Sequence, residues 1–282
     1  MTAGLVCVGD NVVDVYVDEG FMYPGGNALN VAVHATRIGA TPAAYVGALG
    51  TDHAGKVVLA ALEAEGVDTG RTRVVDGPNA FATVRLVAGD RVFSQGGVGV
   101  SRFTPDAGDL ALAAAARVVH TGECSMMEPH LDALSAAARF LSFDFSERDW
   151  DYVEAHAPHA DLAILSRPER SSDDPLEVAA RVLELGPTQV VVSSGAKGAL
   201  WADRTRHLHA AAPDARVVDT LGAGDSLIAR LLVGIVEGET PDVWLPAATA
   251  YATAACMERG AFGHAASLTP NAPPSNTSER QE

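Results

Sequence analysis

The chain has 282 residues, 48% of them hydrophobic, enough for a sizeable core in one large or two ordinary domains. Its formal charge of −16 repels phosphate backbones and anionic bilayers, which sets aside nucleic acid and membrane surfaces as first partners. Apolar runs stay below the ~18 residues of a spanning helix, the opening MTAGLVCVGD lacks a basic leader, and the expectation is a cytoplasmic protein. Cys7, Cys124 and Cys256 fit that compartment, since they form neither a disulfide framework nor a zinc spacing.

Leu5–Val8 is wholly apolar and ends in Gly9-Asp10, as a parallel strand covered on both faces does. Asn11–Asp18 follows with no helix between. In an extended segment Asp10, Val12 and Asp14 share one face. A carboxylate there, above the sheet's carboxyl edge, can accept hydrogen bonds from ligand hydroxyls; a solvated acidic edge strand is the plainer alternative. Gly25 and Gly26 permit close backbone approach. They open a helix over Asn27–Ile38, where Asn27 and Asn30 stand one turn apart and can address one ligand. As a bare motif, Asn27 is more often just a helix cap.

A strand over Ala43–Leu49 and a helix over Ala54–Glu65 come next. Between them Gly50–Lys56 is nearly a phosphate-binding P-loop, but Val57 stands where a metal-binding hydroxyl is required, and we discount it. Ala80–Gln95 reads as a hairpin around Ala88-Gly89-Asp90, with Phe81, Thr83 and Arg85 alternating against Ala82, Val84 and Leu86. An antiparallel pair inside a parallel core is most simply a flap or lid. Helices at Asp109–Ala116, Pro129–Phe140 and Leu176–Leu185 then alternate with strands at Arg117–His120, Leu141–Phe145, Leu162–Leu165 and Gln189–Ser193. That alternation predicts a doubly wound α/β sheet. His207 and His209 share a strand face without a third ligand, so a solvated edge is expected. The polar, Pro-rich end from Thr269 is expected to be disordered.

The most informative stretch is Asp219-Thr220-Leu221-Gly222-Ala223-Gly224-Asp225, ahead of Leu227, Ile228, Leu231, Leu232 and Ile235 at helical spacing. Two glycines at a helix start let backbone N–H groups converge on an anion, and the helix dipole adds to the pull. An acid in that turn would repel a phosphate unless it faces a substrate hydroxyl, whose proton it could accept during phosphoryl transfer. The bland alternative is an acid sitting favourably in a first turn beside turn glycines.

This segment resembles the C-terminal signature of the ribokinase-like (PfkB) family of carbohydrate kinases. Gly25-Gly26-Asn27-Ala28-Leu29-Asn30, leading through Gly39 to Gly47 and Gly50, resembles the family's other signature. The likeness covers roughly residues 1–265. It implies a mostly parallel, doubly wound α/β domain with a small β lid from about 11–23 and 79–96, and it leaves 266–282 as a disordered tail. It also implies transfer of the γ-phosphoryl group of ATP to a hydroxyl of a small sugar-like substrate. Gly222, Ala223 and Gly224 would form the anion hole and Asp225 the catalytic base. Asp10, Asp14, Gly25, Gly26, Asn27, Asn30 and Arg91 would lie on the substrate side. Thr220, Ser193, Gly195, Gly198 and Cys256 would lie on the nucleotide side. Magnesium must accompany ATP, with Glu169 as indirect support. Here the family's Asn-x-x-Glu reads Ser166-Arg167-Pro168-Glu169, so Ser166 departs from the pattern. Arg230, where many relatives have glycine, is either a surface residue or a phosphate contact. Potassium near the anion loop and a homodimer through the lid strands are carried over as expectations.

The strings GDNVVDVY (9–16), PGGNALNVAV (24–33), DRVF (90–93) and FDFS (143–146) look like the fructosamine-kinase branch, fructoselysine 6-kinase included. That resemblance implies phosphorylation of the sixth hydroxyl, opposite an amine that Asp14, Asp18 and Glu19 could favour. Alternatives are a fructokinase, ribokinase or nucleoside kinase and, from another class, a non-catalytic sugar or nucleotide sensor. A dinucleotide-dependent dehydrogenase is disfavoured, because Gly9 lacks the other two glycines of its fingerprint.

Overall fold

The computed structural model describes residues 4–39, 42–87, 90–167 and 173–268. It begins β1 (Leu5–Val8), β2 (Val12–Tyr16), β3 (Phe21–Gly25), α1 (Asn27–Ile38), β4 (Ala44–Val46), β5 (Ala48–Gly50) and α2 (His53–Glu65). Then come β6 (Arg73–Val75), β7 (Phe81–Val87), β8 (Asp90–Gly97), α3 (Ala107–Ala115), β9 (Val118–Gly122), α4 (Leu131–Ala137), β10 (Leu141–Ser146) and α5 (Trp150–His156). The remainder is β11 (Leu162–Ser166), α6 (Pro175–Glu184), β12 (Gln189–Ser193), β13 (Ala199–Asp203), β14 (His207–Ala210), α7 (Ala223–Glu237), α8 (Pro241–Ala255) and β15 (Ala266–Ser267).

Eight strands form one sheet in the order β14-β13-β12-β11-β10-β9-β1-β4. The pairings from β4 to β12 are parallel, and β13 and β14 run antiparallel at one edge. The apolar run of β1 supplies both faces: Leu5 and Cys7 pack into one core cluster and Val6 and Val8 into another. α1 and α7 lie together on the first face, where Leu29 and Val33 share a core with Leu231 and Leu232.

A second, five-stranded sheet, β15-β3-β2-β7-β8, stands beside the first. This is the small β lid of the fold. Two expected boundaries shift. Ala43–Leu49 is not one strand: β4 pairs with β1 in the large sheet, while β5 pairs with β6 in a separate two-stranded ribbon. The final strand β15 adds Ala266 and Ser267 to the lid edge against Met22 and Phe21, beyond the boundary expected at 265. The tail from Thr269 lies outside the described residues, as does the turn Ala88-Gly89. The near P-loop is a turn and helix start, with Asp52 capping α2 through the amide of Gly55 at 2.9 Å. His207 and His209 are exposed on the edge strand β14. Among the described residues no helix is long and apolar enough to cross a membrane.

Candidate active site

β1, β9 and β10 are neighbours whose chain ends reach one rim of the large sheet, beside the point where strand order reverses from β1 to β4. Crevices at such a switch point are the usual ligand sites of open α/β sheets. Here the crevice is a cavity of about 510 Å³ between that rim and the lid strands, with Asp10, Asp14, Asn27, Asn30, Asp144 and Asp225 in its wall.

Asp10 has a different task from the one its position on the strand suggests. Its carboxylate accepts from the amides of Asn27 (2.8 Å) and Ala28 (3.1 Å) and from the Ser125 hydroxyl (2.8 Å). It therefore caps α1 from 17 residues upstream, because Gly26 at the cap position has no side chain to do so. Gly26 has φ +113, and a Cβ there would stand 2.6 Å from Asn11 Cα. Only glycine lets α1 begin so close to the β1–β2 turn. A Cβ on Gly25 would lie 2.7 Å from Asp14 Oδ2, so that glycine makes room for the carboxylate of Asp14, which is itself buried.

Asn27 and Asn30 converge, but on Asp225. Asn27 Nδ2 donates to its Oδ1 at 2.8 Å and Asn30 Nδ2 to its Oδ2 at 2.7 Å. Burial pushes the Asp225 carboxyl up to about 6, against the lowering effect of the two amide donors. Asn27 Nδ2 also donates to Asp144 Oδ2 at 2.8 Å. Burial and the nearby Asp225 and Glu123 push Asp144 up to about 7. Asn30 Oδ1 is buried in the cavity wall without a hydrogen-bond partner, an acceptor suited to a ligand hydroxyl.

A second cavity of about 420 Å³ lies on the other side of the α7 start, lined by Ser166, Ser193, Gly195, Gly198, Thr220, Ala223, Gly224, Thr253 and Cys256. Its walls are small side chains, which suits a flat ring and a phosphate chain. The first turn of α7 is the partition: Asp225 faces the first cavity, and Ala223 and Gly224 face the second. The first amides of a helix have no partner within it, so this turn can hold an anion between the two cavities. Gly222 sets the turn at φ +74, packed so that a Cβ would stand 2.8 Å from that of Ala261.

Two cavities meeting at one helix N-terminus, with an acid on one side and amides on the other, are the geometry of a phosphotransferase site. The sequence agrees: the pfkB family carbohydrate kinase pattern matches residues 4–265. The chain belongs to the pfkB family of carbohydrate kinases. It is 35% identical to the fructosamine kinase FrlD of Bacillus subtilis (strain 168), over 92% of this chain and 93% of that protein. It is 34% identical to the fructoselysine 6-kinase of Escherichia coli (strain K12), over 89% and 94% respectively. The ribokinase of Arabidopsis thaliana, solved with ribose and ATP, superposes with a TM-score of 0.81 at 24% identity, over 93% of this chain and 95% of that one. The kinase therefore has the ribokinase-like fold and acts on an alcohol group.

Other residues singled out in this carbohydrate kinase are not placed in the cavities by the described structure. Glu169 lies outside the described residues, as does the side chain of Arg91, whose backbone belongs to β8. Arg230 makes a two-pronged pair with Glu239, at 2.9 and 3.1 Å, at the α7–α8 corner. It lines neither cavity. Glu19 pairs with Arg259 at 2.9 Å, and neither it nor Asp18 lines the first cavity. Asp144 and His120 were not singled out from sequence. The available signal was polar residues set among apolar ones, His120 and Thr121 in VVHTG and Ser142, Asp144 and Ser146 in LSFDFS.

Proposed function

We propose that the chain transfers the γ-phosphoryl group of ATP to the sixth hydroxyl of a fructosamine, with Asp225 as general base. The observation that carries the substrate class is the charge of the first cavity. Asp10, Asp14, Glu123, Asp144 and Asp225 line it, and no Lys, Arg or His does among the described residues. Such a wall accepts hydrogen bonds from the hydroxyls of any sugar, and a fructosamine adds a protonated amine that the same acids attract. Both fructosamine-type relatives match nearly the whole chain, and the second, a fructoselysine 6-kinase, supports the sixth position.

In the reaction Asp225 takes the hydroxyl proton as the acceptor oxygen bonds to the γ-phosphorus and the bond to the leaving ADP oxygen breaks. The α7 amides around Gly222, Ala223 and Gly224 stabilise the charge on the transferring group. Asn27 and Asn30 hold both oxygens of the base. Gly195 and Gly198 border the nucleotide phosphates, and Thr220, Ser193 and Cys256 complete that wall. Magnesium bound with ATP would neutralise phosphate charge, and Ser166, at the start of the 166–169 stretch, lines this cavity. Potassium near the anion loop is a proposal of the same kind. The acid there is buried Asp219, whose carboxylate accepts from the amides of Leu221 (2.7 Å) and Gly260 (3.1 Å). Phe81 and Val98, exposed in and beside the lid strands, favour a lid-mediated homodimer.

The test compares kcat/KM at saturating MgATP for fructoselysine, fructose, ribose and adenosine. Fructoselysine is expected to lead by at least about tenfold, which corresponds to ~1.4 kcal/mol. A tenfold lead for a free sugar or nucleoside would replace the substrate class and leave the kinase intact. Asp14→Ala is expected to raise KM for the acceptor by about tenfold or more, the cost of one hydrogen bond to a charged group, and to leave KM for ATP within about twofold. Equal effects on both ligands would remove Asp14 from the acceptor site.

A further inference from the structure

One buried polar chain has no part in the chemistry described so far. Ser142 on β10 and His120 on β9 meet inside the large sheet, Oγ to Nδ1 at 3.1 Å, and both are fully buried. Nε2 of His120 lies 3.3 Å from Oδ1 of Asn27, the residue whose amide nitrogen serves Asp144 and Asp225 at 2.8 Å each. As the base, Asp225 must be ionised and then only accepts, so the Asn27 nitrogen that reaches it at 2.8 Å leaves its oxygen facing the histidine. That assigns the imidazole: Nε2 carries the proton and donates to Asn27, and Nδ1 accepts from the Ser142 hydroxyl. Burial keeps the ring neutral, its pKa pushed down to about 3. Gly122 leaves the Asn27 oxygen its place, since a Cβ there would stand 2.6 Å from it.

We propose that His120 is a positioning residue for Asp225, acting through Asn27, with Ser142 holding the histidine's tautomer. The inference rests on the reading of Asp225 as the base. The terminal torsion of an asparagine is broad and two-fold, so nothing within Asn27 itself favours one orientation of its amide. Without the histidine N–H, the Asn27 oxygen is buried without that donor, the amide is held only from the carboxylate side, and it can swing off Asp225. Asp225 then loses a donor, and its ionised form becomes harder to reach. The charged groups that face this corner are Asp10 after β1, Asp14 on β2, Glu123 after β9 and Asp144 on β10. All are acids and push the same way, so none compensates. The other donor, Asn30 from α1, holds only one of the two oxygens.

His120→Phe and His120→Gln decide the matter, since a glutamine can return an N–H to the place of Nε2. The measurement is kcat/KM for the acceptor from about pH 5 to about pH 9, whose acid limb reports the base in free enzyme. The wild-type limb is expected near about 6. In His120→Phe it should rise by about one pH unit, with about tenfold less activity just below the wild-type limb and an unchanged KM for ATP. His120→Gln should restore the wild-type limb. The position of a limb does not depend on how much enzyme is folded, so a loss of stability cannot imitate the shift. If His120→Phe does not fold, Gly122→Ala displaces the same Asn27 oxygen from the other side and should give the same shift. A wild-type limb in the variant that folds, or equal limbs for Phe and Gln, overturns the positioning role. Full turnover in Asp225→Asn would instead overturn the base reading on which it rests.

Discussion

Asp225→Asn yields a folded kinase that still binds ATP but turns over about 10²–10⁴-fold more slowly, the usual cost of losing a general base. The amide cannot take the hydroxyl proton, while the anion-binding turn on the other side of the partition is untouched. A stability signature should accompany the loss. The Asp225 carboxyl is pushed up to about 6 by burial, against an unfolded value near ~3.9. Its contribution to stability is thus present in full below the unfolded value and is lost as pH rises through the folded one. The variant does not titrate, so its melting temperature relative to wild type should climb between about pH 4 and about pH 7. Turnover near the wild-type rate in purified protein would sink the assignment.

The second large effect is expected at Gly224. A Cβ built there meets nothing within 4 Å, and the residue lines the nucleotide cavity. Gly224→Val therefore places its methyl groups in that cavity, beside the α7 amides proposed to hold a phosphate. Loss of an oxyanion-type donor typically costs about 10²–10³-fold in turnover, and obstruction of this one should be comparable. The melting temperature should hold, since the residue has helical neighbours and no φ that valine must resist. Gly222→Val is the control: at φ +74 and against Ala261 it should lower stability outright. Wild-type kinetics in Gly224→Val would remove the anion hole from this turn.

The parts of this site that were legible in the sequence are the parts encoded by neighbours along the chain. Gly25-Gly26 followed by apolar spacing gives α1 its start at Asn27 and its end at Ile38. The GAGD turn ahead of Leu227, Ile228, Leu231 and Leu232 likewise announces α7. The split of Ala43–Leu49 was not readable, because every residue from Ala43 to Gly50 is buried and no polar position marks where one strand stops. Asp10 was placed on the right face with Asp14, but alternation cannot show that the amides of α1 come down on it. His120 and Asp144 matter through partners on other strands and helices, and no local pattern carries that information.

The bond from Asn27 to Asp225 spans 198 residues of chain. Long-range closures of this kind cost loop entropy before any contact rewards them, and they slow folding. During synthesis, α1 emerges early with both asparagine amides ready, and the acid they hold arrives only when α7 leaves the ribosome. Until then no truncated product can contain a working site, whatever else has folded. Docking of α7 against α1 is therefore the step that completes both the core face they share and the site, and opening of that helix pair would undo both.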